Sequence, residues 1–241
     1  MDKDIERLIY IIFIATIVIL VIYIILQLYE SELNENFESS LKDDGFIIVS
    51  DKEEALSILP KGYVFLDYEY EISGCTLQTF HRDVTSSQYY YKTKYPVYTY
   101  IVYENKGNLL TVYPNSHKTT PFVWSSPKII KSNSDKTCVL FNCDVVHAGA
   151  MSDLGDKRHA KQYKIAHIDD LDKMKHLQGI KKQVKMNCGE TTFLRDYTMR
   201  KCSLLFSYPL NDWFTEYLQE NQNNIINKIG LYIFGKEFYN K

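Results

Sequence analysis

The hydrophobic pattern of the chain begins with one long apolar run. From residue 8 to residue 29 there is no charged side chain, and Thr16 is the only clearly polar one before Gln27. A helix needs about 20 apolar residues to cross a bilayer core of roughly 30 Å. A cleaved signal peptide is the alternative, but its apolar stretch is typically about 7–15 residues long and ends at small residues. The run therefore predicts an uncleaved transmembrane signal-anchor helix over residues 8–29, after a short tail of residues 1–7.

The charges that flank this run indicate its orientation. Lys3 and Arg7 precede it, whereas no Lys or Arg follows it before Lys42. The positive-inside rule then places the N-terminus in the cytosol and the bulk of the chain in a lumen or outside the cell. The acidic residues 30–40 are expected to form a polar stalk. The frequent Ile, Asn and Lys are typical of an AT-rich genome, as in many large DNA viruses or protists, so a virion membrane is one candidate location.

Beyond the acidic segment the pattern changes to short runs rich in aromatic and β-branched residues. These strand-like runs cover residues 46–49, 62–71, 75–83, 96–104, 108–113, 138–146 and 158–168. Turn signals such as Lys106-Gly107-Asn108 separate them. Many short strands with a few helices at the ends predict a mainly β domain, a sandwich or jelly roll. About 200 residues outside the anchor are enough for one sizeable core.

The last part of the chain, residues 171–241, has a different pattern. Apolar side chains recur at roughly helical spacing between Trp213 and Ile229, which predicts a C-terminal extension with a helix that packs on the core. None of the five cysteines is in a CxxC pair, which argues against a cysteine zinc site. A disulfide between Cys188 and Cys202 stays open, because it depends on an oxidising compartment.

The charge balance argues against one class of partner. The chain has 30 acidic and 28 basic residues and a formal net charge of −2, so nothing in it favours nucleic acid. A basic run formed by lysines 173, 175, 181, 182 and 185 is expected to be a solvated face. No phosphate-binding glycine loop and no convincing Ser-His-Asp or Cys-His arrangement appears in the sequence.

Candidate chemistry enters with a His-x-Asp triplet. In a strand over residues 75–83, a period of two places His81 and Asp83 on the same face. His147 lies 66 residues after His81, at the end of an apolar run and before the small residues 148–150. Two histidines and one carboxylate that leave coordination positions open are the ligand set of non-haem iron(II) oxygenases. The three residues are therefore candidate metal ligands.

A second triplet, His167-Ile168-Asp169, is a competitor. Only His176 lies downstream of it, nine residues on and within the Lys-rich stretch. That histidine is badly placed to complete a metal site, so the first triplet is favoured. His159 and His176 are expected to lie at the surface.

The order of His81, Asp83, His147 and then Arg158, 11 residues further on, resembles the 2-oxoglutarate/iron(II) dioxygenases. The phytanoyl-CoA dioxygenase-like and prolyl-4-hydroxylase-like branches are the most similar. Residues 41–49 look like the entry helix and first strand of that family, and the resemblance covers about residues 41–170.

One turn departs from the family pattern. Pro114-Asn115-Ser116-His117 is similar to the family's Pro-Gly-Ser-His turn, with Asn115 in place of Gly. Asn tolerates a left-handed backbone better than other non-Gly residues, so the turn is expected to survive. His117 is expected to shape a loop near the mouth of the site rather than to bind metal.

The resemblance implies a double-stranded β-helix, or jelly roll, with flanking helices and iron(II) on His81, Asp83 and His147. It also implies that Arg158 pairs with the distal carboxylate of 2-oxoglutarate, because its planar fork grips a carboxylate through two bonds. Lys157, Lys161 and Lys164 are nearby alternatives. Fe(II), 2-oxoglutarate and O2 are the implied cofactors and co-substrates, with ascorbate as an optional addition.

These expectations describe a membrane-anchored dioxygenase, most simply a hydroxylase. Its substrate could be a protein side chain, a lipid or a small molecule, and the sequence does not choose among them. A catalytically inactive jelly-roll membrane protein with a structural, adhesion or assembly role is the alternative. Iron-dependent conversion of 2-oxoglutarate to succinate separates the two.

Overall fold

The computed structural model describes residues 3–33, 38–74, 80–119, 123–150, 158–186 and 200–201. Within them the helices are α1 (Lys3–Leu28), α2 (Lys52–Ile58) and α3 (Gln88–Tyr91), and 3-10 helices span Val84–Ser86, Ser116–Lys118 and Ile168–Leu177. The strands are β1 (Ser31–Glu32), β2 (Phe46–Val49), β3 (Tyr63–Phe65), β4 (Tyr68–Gly74), β5 (Tyr98–Tyr103), β6 (Gly107–Val112), β7 (Lys128–Ser132), β8 (Thr137–Asn142), β9 (His147–Gly149), β10 (Arg158–His167) and β11 (Ile180–Met186).

Helix α1 contains the predicted apolar span. Its segment Ile5–Ile25 has a mean hydropathy of 3.2 and is not buried against the rest of the chain. The hydroxyl of Thr16 donates a hydrogen bond to the carbonyl of Ile12, one turn earlier, so this polar group is satisfied within the helix. By length and composition the helix is able to cross a membrane.

The strands form two sheets. One has the order β1-β7-β6-β9, and the other has the order β11-β4-β10-β5-β8-β2, with β3 paired to β10. The pairings are antiparallel except for β1 with β7 and β11 with β4. One apolar cluster takes buried side chains from both sheets, including Leu110 and Ile130 from the first and Phe141 and Ala160 from the second. The mainly β, jelly-roll-like fold predicted from the sequence is confirmed.

Strand β8 explains why its sequence is apolar almost throughout. Val139 and Phe141 face the cluster between the sheets, while Cys138 and Leu140 face a second cluster on the outer side of the larger sheet. Helix α2 covers that outer side with Ala55, and Leu59, which directly follows the helix, packs into the same cluster. A strand buried on both faces reads as a continuous apolar run rather than an alternating one.

One predicted strand boundary was wrong. The expected strand over residues 75–83 does not continue to its end: His81 forms a single bridge with His147, and Asp83 starts the 3-10 helix Val84–Ser86. Residues 75–79 lie outside the described part of the chain. The larger sheet also continues past residue 170, because β11 pairs in parallel with β4.

The segment predicted to be a stalk is packed on the domain where it begins. Ser31 and Glu32 pair with Lys128 and Ile129 of β7, which makes β1 an edge strand. Leu33 packs against the cluster between the sheets. These positions are therefore part of the domain rather than a solvated spacer. The helix expected after Trp213 and the pairing of Cys188 with Cys202 lie outside the described residues.

Candidate metal centre

The structure brings His81, Asp83 and His147 together at one end of the smaller sheet. One ligand atom from each residue lies within 4.8 Å of those from the other two. Oδ1 of Asp83 is 3.8 Å from Nε2 of His81 and 3.7 Å from Nε2 of His147. Because metal–ligand bonds are about 2.0–2.2 Å, both imidazoles and the carboxylate can reach one ion between them. The donor set therefore fits a divalent transition metal.

The two histidines are held side by side by their own backbones. The amide of His81 donates to the carbonyl of His147 over 3.0 Å, and the amide of His147 donates to the carbonyl of His81 over 2.9 Å. Their ring centroids are 4.5 Å apart. This reciprocal pair places both imidazoles on the same side even though residue 81 is not part of a strand.

The ring of His147 is oriented for metal binding. Its Nδ1 lies 2.9 Å from the carbonyl oxygen of Val145, which is an acceptor, so Nδ1 carries the proton and Nε2 presents a lone pair. Burial lowers the pKa of His147 to about 4, and the imidazole is therefore neutral at pH 7. A neutral imidazole is the form that binds a metal.

The two oxygens of Asp83 have different surroundings. Oδ1 faces the imidazoles, whereas Oδ2 accepts hydrogen bonds from Nζ of Lys164 over 2.6 Å, from Oγ1 of Thr99 over 2.6 Å and from Nε2 of Gln162 over 3.3 Å. Three donors on Oδ2 leave Oδ1 as the oxygen available to a metal. The arrangement favours coordination through one carboxylate oxygen.

Lys164 is the buried counter-ion of this carboxylate. Its side chain is 1% exposed, and its ammonium also donates to Oγ1 of Thr99 over 2.8 Å. Burial alone would lower the pKa of Lys164, but the nearby Asp83 raises it above its ordinary value. Burial likewise opposes ionisation of Asp83, while Lys164 and the two histidines lower its pKa well below the usual range. Both groups are thus charged, and the pair is neutral overall.

Arg82, between the two candidate ligands, directs its side chain away from them. It is nevertheless buried, and its guanidinium donates to the carbonyl of Thr119 over 2.6 Å and to that of Asp144. Asp144 in turn accepts from the hydroxyl of Ser87 and from the backbone amide of Gln88. These bonds tie the loop that carries Asp83 to the turn before His147.

Arg158 begins β10 and is buried on its inner face. Strand periodicity places it on the same face as Ala160 of the core and as Gln162 and Lys164, which both reach Asp83. Its guanidinium donates to the carbonyl of Ala150, three residues after His147 and so about 10 Å along the chain. The cation therefore lies between the two sheets, on the same face of β10 as the residues that reach Asp83.

Gly149 makes room for this arginine. A Cβ at position 149 would collide with Nη1 of Arg158, so a larger residue there would displace the guanidinium. The carbonyl of Gly149 accepts a hydrogen bond from the fully buried Arg200 over 2.6 Å. The small residues after His147 thus let two guanidinium groups approach the strand that carries this ligand.

The other sequence candidates lie elsewhere. His167 caps the 3-10 helix Ile168–Leu177, and Asp169 pairs with Lys94. His159 is partly exposed and pairs with Glu71 and Glu104. His176 is exposed, and its ring stacks on Tyr91.

The 3-10 turn at His117 holds the strand of His147 without reaching the metal ligands. Asn115 adopts the left-handed backbone that the turn was expected to need, with φ of 66°. The hydroxyl of Ser116 accepts a hydrogen bond from the amide of Val146 over 2.8 Å. This turn therefore supports the residue that immediately precedes His147.

Sequence reasoning missed three partners of Asp83. Thr99 and Gln162 were not singled out, and Lys164 was considered only as a partner for 2-oxoglutarate. The even spacing of 158, 162 and 164 along one strand was a usable signal, because alternate residues share a face. Thr99 on β5 carried no such signal, since its approach to Asp83 depends on how the strands pair.

No family model matches this sequence, and no curated protein matches it. Among solved structures, EvdMO1 is similar with a TM-score of 0.35 and 13% identity, over 48% of this chain and 30% of that one. HygX from Streptomyces hygroscopicus, with nickel, 2-oxoglutarate and hygromycin B bound, has a TM-score of 0.34 and 10% identity. The match covers 53% of this chain and 84% of that one. The nickel complex of the non-heme monooxygenase ThoJ has a TM-score of 0.37 and 9% identity, over 69% of this chain and 71% of that one.

The chain thus spans less than a third of EvdMO1 and 55% of the similar protein AviO1 from Streptomyces viridochromogenes Tue57. All of these TM-scores are below 0.5, so these similarities do not assign a function to this chain. The chemistry of this chain is therefore inferred from the geometry of its own side chains.

Proposed function

We propose that this chain is a membrane-anchored non-haem Fe(II)- and 2-oxoglutarate-dependent dioxygenase, with a hydroxylase as the simplest reaction. One observation carries the proposal: His81, Asp83 and His147 meet with their ligand atoms within 4.8 Å of one another. Two imidazoles and one carboxylate leave three positions of an octahedral ion open, which suits a site that must also take a co-substrate and O2.

Bound Fe(II) would supply the coupling of 2-oxoglutarate oxidation by O2 to the oxidation of a substrate C–H bond. The chain's own contribution is to hold the ligands on one side of the ion. Val145 fixes the tautomer of His147, and Lys164 with Thr99 fixes which oxygen Asp83 presents. These contacts orient the ligands before a metal arrives.

Arg158 is proposed to receive the distal carboxylate of 2-oxoglutarate. Its guanidinium is buried between the two sheets and donates to the carbonyl of Ala150, which lies close to His147 in the chain. A buried guanidinium binds a carboxylate strongly because two parallel hydrogen bonds form away from water. Lys164, the alternative that faces the same way, is engaged with Asp83 and is the weaker candidate.

The decisive experiment measures succinate formation from 2-oxoglutarate by the full-length chain in detergent or lipid nanodiscs, with Fe(II), O2 and ascorbate. We expect turnover that requires iron and is lost in His147→Ala but retained in the matched variant His167→Ala. Absence of iron-dependent turnover in a protein that binds iron would favour the non-catalytic jelly-roll alternative.

The anchor is proposed to cross the membrane with its N-terminus in the cytosol, because Lys3 and Arg7 precede the span and no cation follows until Lys42. A protease added to the cytosolic side of sealed membranes should remove only the short N-terminal tail. Digestion of the large domain from that side would reverse the orientation. A lumenal or extracellular domain leaves a protein side chain, a lipid or a small molecule as substrate.

A further inference from the structure

The residues that directly follow the anchor helix are bound to the domain, without an intervening spacer. Glu30 lies five residues after Ile25, the last residue of the apolar span. Its side chain is 11% exposed and accepts hydrogen bonds from Arg200 over 3.0 Å, from Lys201 over 2.8 Å and from the hydroxyl of Thr111 over 3.1 Å. Because Thr111 belongs to β6, the span is joined directly to the smaller sheet.

A second contact is made by an earlier residue of the helix. The ring of Tyr23, inside the apolar span, packs edge-on against Trp124 with 5.5 Å between ring centroids. The side chain of Trp124 is 70% exposed despite this contact. Its neighbour Ser125 donates to the carbonyl of Pro114, so this loop is connected to the turn that supports Val146.

These two contacts determine the height of the loop relative to a membrane. Tyr23 is two residues before Ile25, so it lies about 3 Å inside the end of the span. A ring that touches Tyr23 is therefore close to the C-terminal end of the apolar segment Ile5–Ile25, which in a bilayer would approach the headgroup layer. Trp is enriched at this depth, because its apolar body enters the acyl region while its N–H faces the headgroups.

From this geometry we propose that Trp124, with the neighbouring Ser125, docks into the interfacial layer of the phospholipid bilayer, while the buried Val123 fixes the loop to the core. The surface formed by Trp124 and Ser125 is then a second membrane contact beside α1, and the domain lies against the bilayer instead of extending away on a stalk. The inference rests on the proposed anchoring and not on the proposed reaction.

The docking has a consequence for the candidate metal centre. Arg200, which holds Glu30, also donates to the carbonyl of Gly149 and lies over the ring of Phe80, 4.3 Å from its centroid. Phe80 precedes His81, and Gly149 follows His147 by two residues. The same guanidinium therefore joins the membrane end of the anchor to both histidine segments, which places the centre close to the headgroup layer and favours a substrate carried by the membrane.

Depth-dependent fluorescence quenching tests the docking in the full-length chain reconstituted in phosphatidylcholine nanodiscs. Trp213→Phe leaves Trp124 as the only tryptophan, since the chain has two. We expect Trp124 to emit at short wavelength and to be quenched more by lipids brominated near the carbonyl end of the acyl chains than by lipids brominated near the methyl end. Aqueous iodide should quench it poorly.

Two matched reporters control the interpretation, each placed in a Trp124→Phe, Trp213→Phe background. Ile14→Trp, in the middle of the apolar span, should be quenched most by bromines near the methyl end. Ile48→Trp, at a position 45% exposed on β2 of the other sheet, should be quenched by iodide and not by brominated lipid.

The outcomes separate the two proposals. If the reporter at position 14 responds to brominated lipid but Trp124 behaves like the reporter at position 48, α1 is inserted and the docking is wrong. If the reporter at position 14 does not respond, the anchoring fails and the docking fails with it. Quenching of Trp124 by shallow bromines in a chain with no oxygenase turnover would leave the docking intact and contradict only the proposed reaction.

Discussion

The two His-x-Asp triplets of this chain have the same spacing and entirely different surroundings. His81 and Asp83 lie beside a third candidate ligand, His147, with their ligand atoms within 4.8 Å. His167 and Asp169 lie at the start of a 3-10 helix, where the amide of Asp169 donates to Nδ1 of His167 over 3.2 Å. The triplet is thus a local helix cap at one place and supplies two of the three residues of the candidate metal centre at the other.

The difference lies in what the rest of the fold brings to each triplet. Asp83 is paired with the buried Lys164, whereas Asp169 is about half exposed and pairs with the exposed Lys94 over 3.4 Å. The ring of His167 packs against Tyr95, with 3.9 Å between ring centroids. A short motif therefore predicts a metal site only when a distant strand supplies another ligand and the carboxylate is held by buried donors.

The largest expected effect follows from the two cations. Lys164→Met should destabilise the metal-free protein by about 3–5 kcal/mol, because it leaves the carboxylate of Asp83 buried without a counter-ion. Lys94→Met should change stability by less than about 1 kcal/mol, since its ion pair is exposed and screened. Thermal unfolding of both variants measures the contrast.

A divalent metal should partly rescue the first variant. Mn(II) at the candidate centre would supply the positive charge that Lys164→Met removes, so it should raise the melting temperature of this variant more than that of the wild type. Equal shifts in the two proteins would show that Asp83 does not bind the ion.

The next effect distinguishes the histidines. His81→Ala should weaken Fe(II) or Mn(II) binding by at least about 100-fold, because the loss of a ligand exceeds the effect of losing an outer-shell partner. His81 is partly exposed, so the variant is expected to fold. His167→Ala should cost about 1 kcal/mol of stability through the lost helix cap and leave metal affinity unchanged. Anaerobic calorimetric titration measures both, and equal metal affinity in the two variants would remove the distinction between the triplets.

Much of the fold could be predicted from the sequence, because its strands are runs of aromatic and β-branched residues that a buried sheet requires. Strand β1 could not, since Ser31 and Glu32 have no strand pattern and pair only because β7 offers a free edge. The period-two argument for His81 and Asp83 was wrong about the local structure, although the residues do meet. Their meeting depends on the backbone pairing of His81 with His147, a contact between distant parts of the chain.

The third effect concerns the co-substrate. Arg158→Ala should leave metal binding nearly unchanged, because Arg158 is not itself one of the three candidate ligands and its guanidinium donates to the carbonyl of Ala150. It should weaken 2-oxoglutarate binding roughly 30-fold, or about 2 kcal/mol, since a desolvated carboxylate loses its charged partner. Arg158→Lys should be intermediate, as it keeps the charge but loses the planar fork.

Titration of 2-oxoglutarate into the anaerobic iron-loaded protein, followed by its metal-to-ligand absorbance band, gives these affinities. Lys161→Ala is the matched control, because residue 161 is on the opposite face of β10. An unchanged affinity in Arg158→Ala would contradict the assignment.

The smallest expected effect comes from the backbone that supports each triplet. Asn115, with φ of 66°, shapes the turn behind His147, and Gly62, with φ of 103°, lies against the ring of His167. Asn115→Ala should cost about 1 kcal/mol, because a Cβ-bearing residue without a local hydrogen-bonding side chain is disfavoured in this conformation. Asn115→Gly should be close to neutral, since Gly adopts positive φ without strain but loses more chain entropy on folding.

Chemical denaturation gives the stabilities of these variants, and metal titration shows whether a change in the turn alters metal binding at the candidate centre. If it does, Asn115→Ala lowers metal affinity and Gly62→Ala, which disturbs only the capping histidine, does not. If both leave metal affinity unchanged, the reciprocal backbone pairing of His81 and His147 is sufficient to position the ligands.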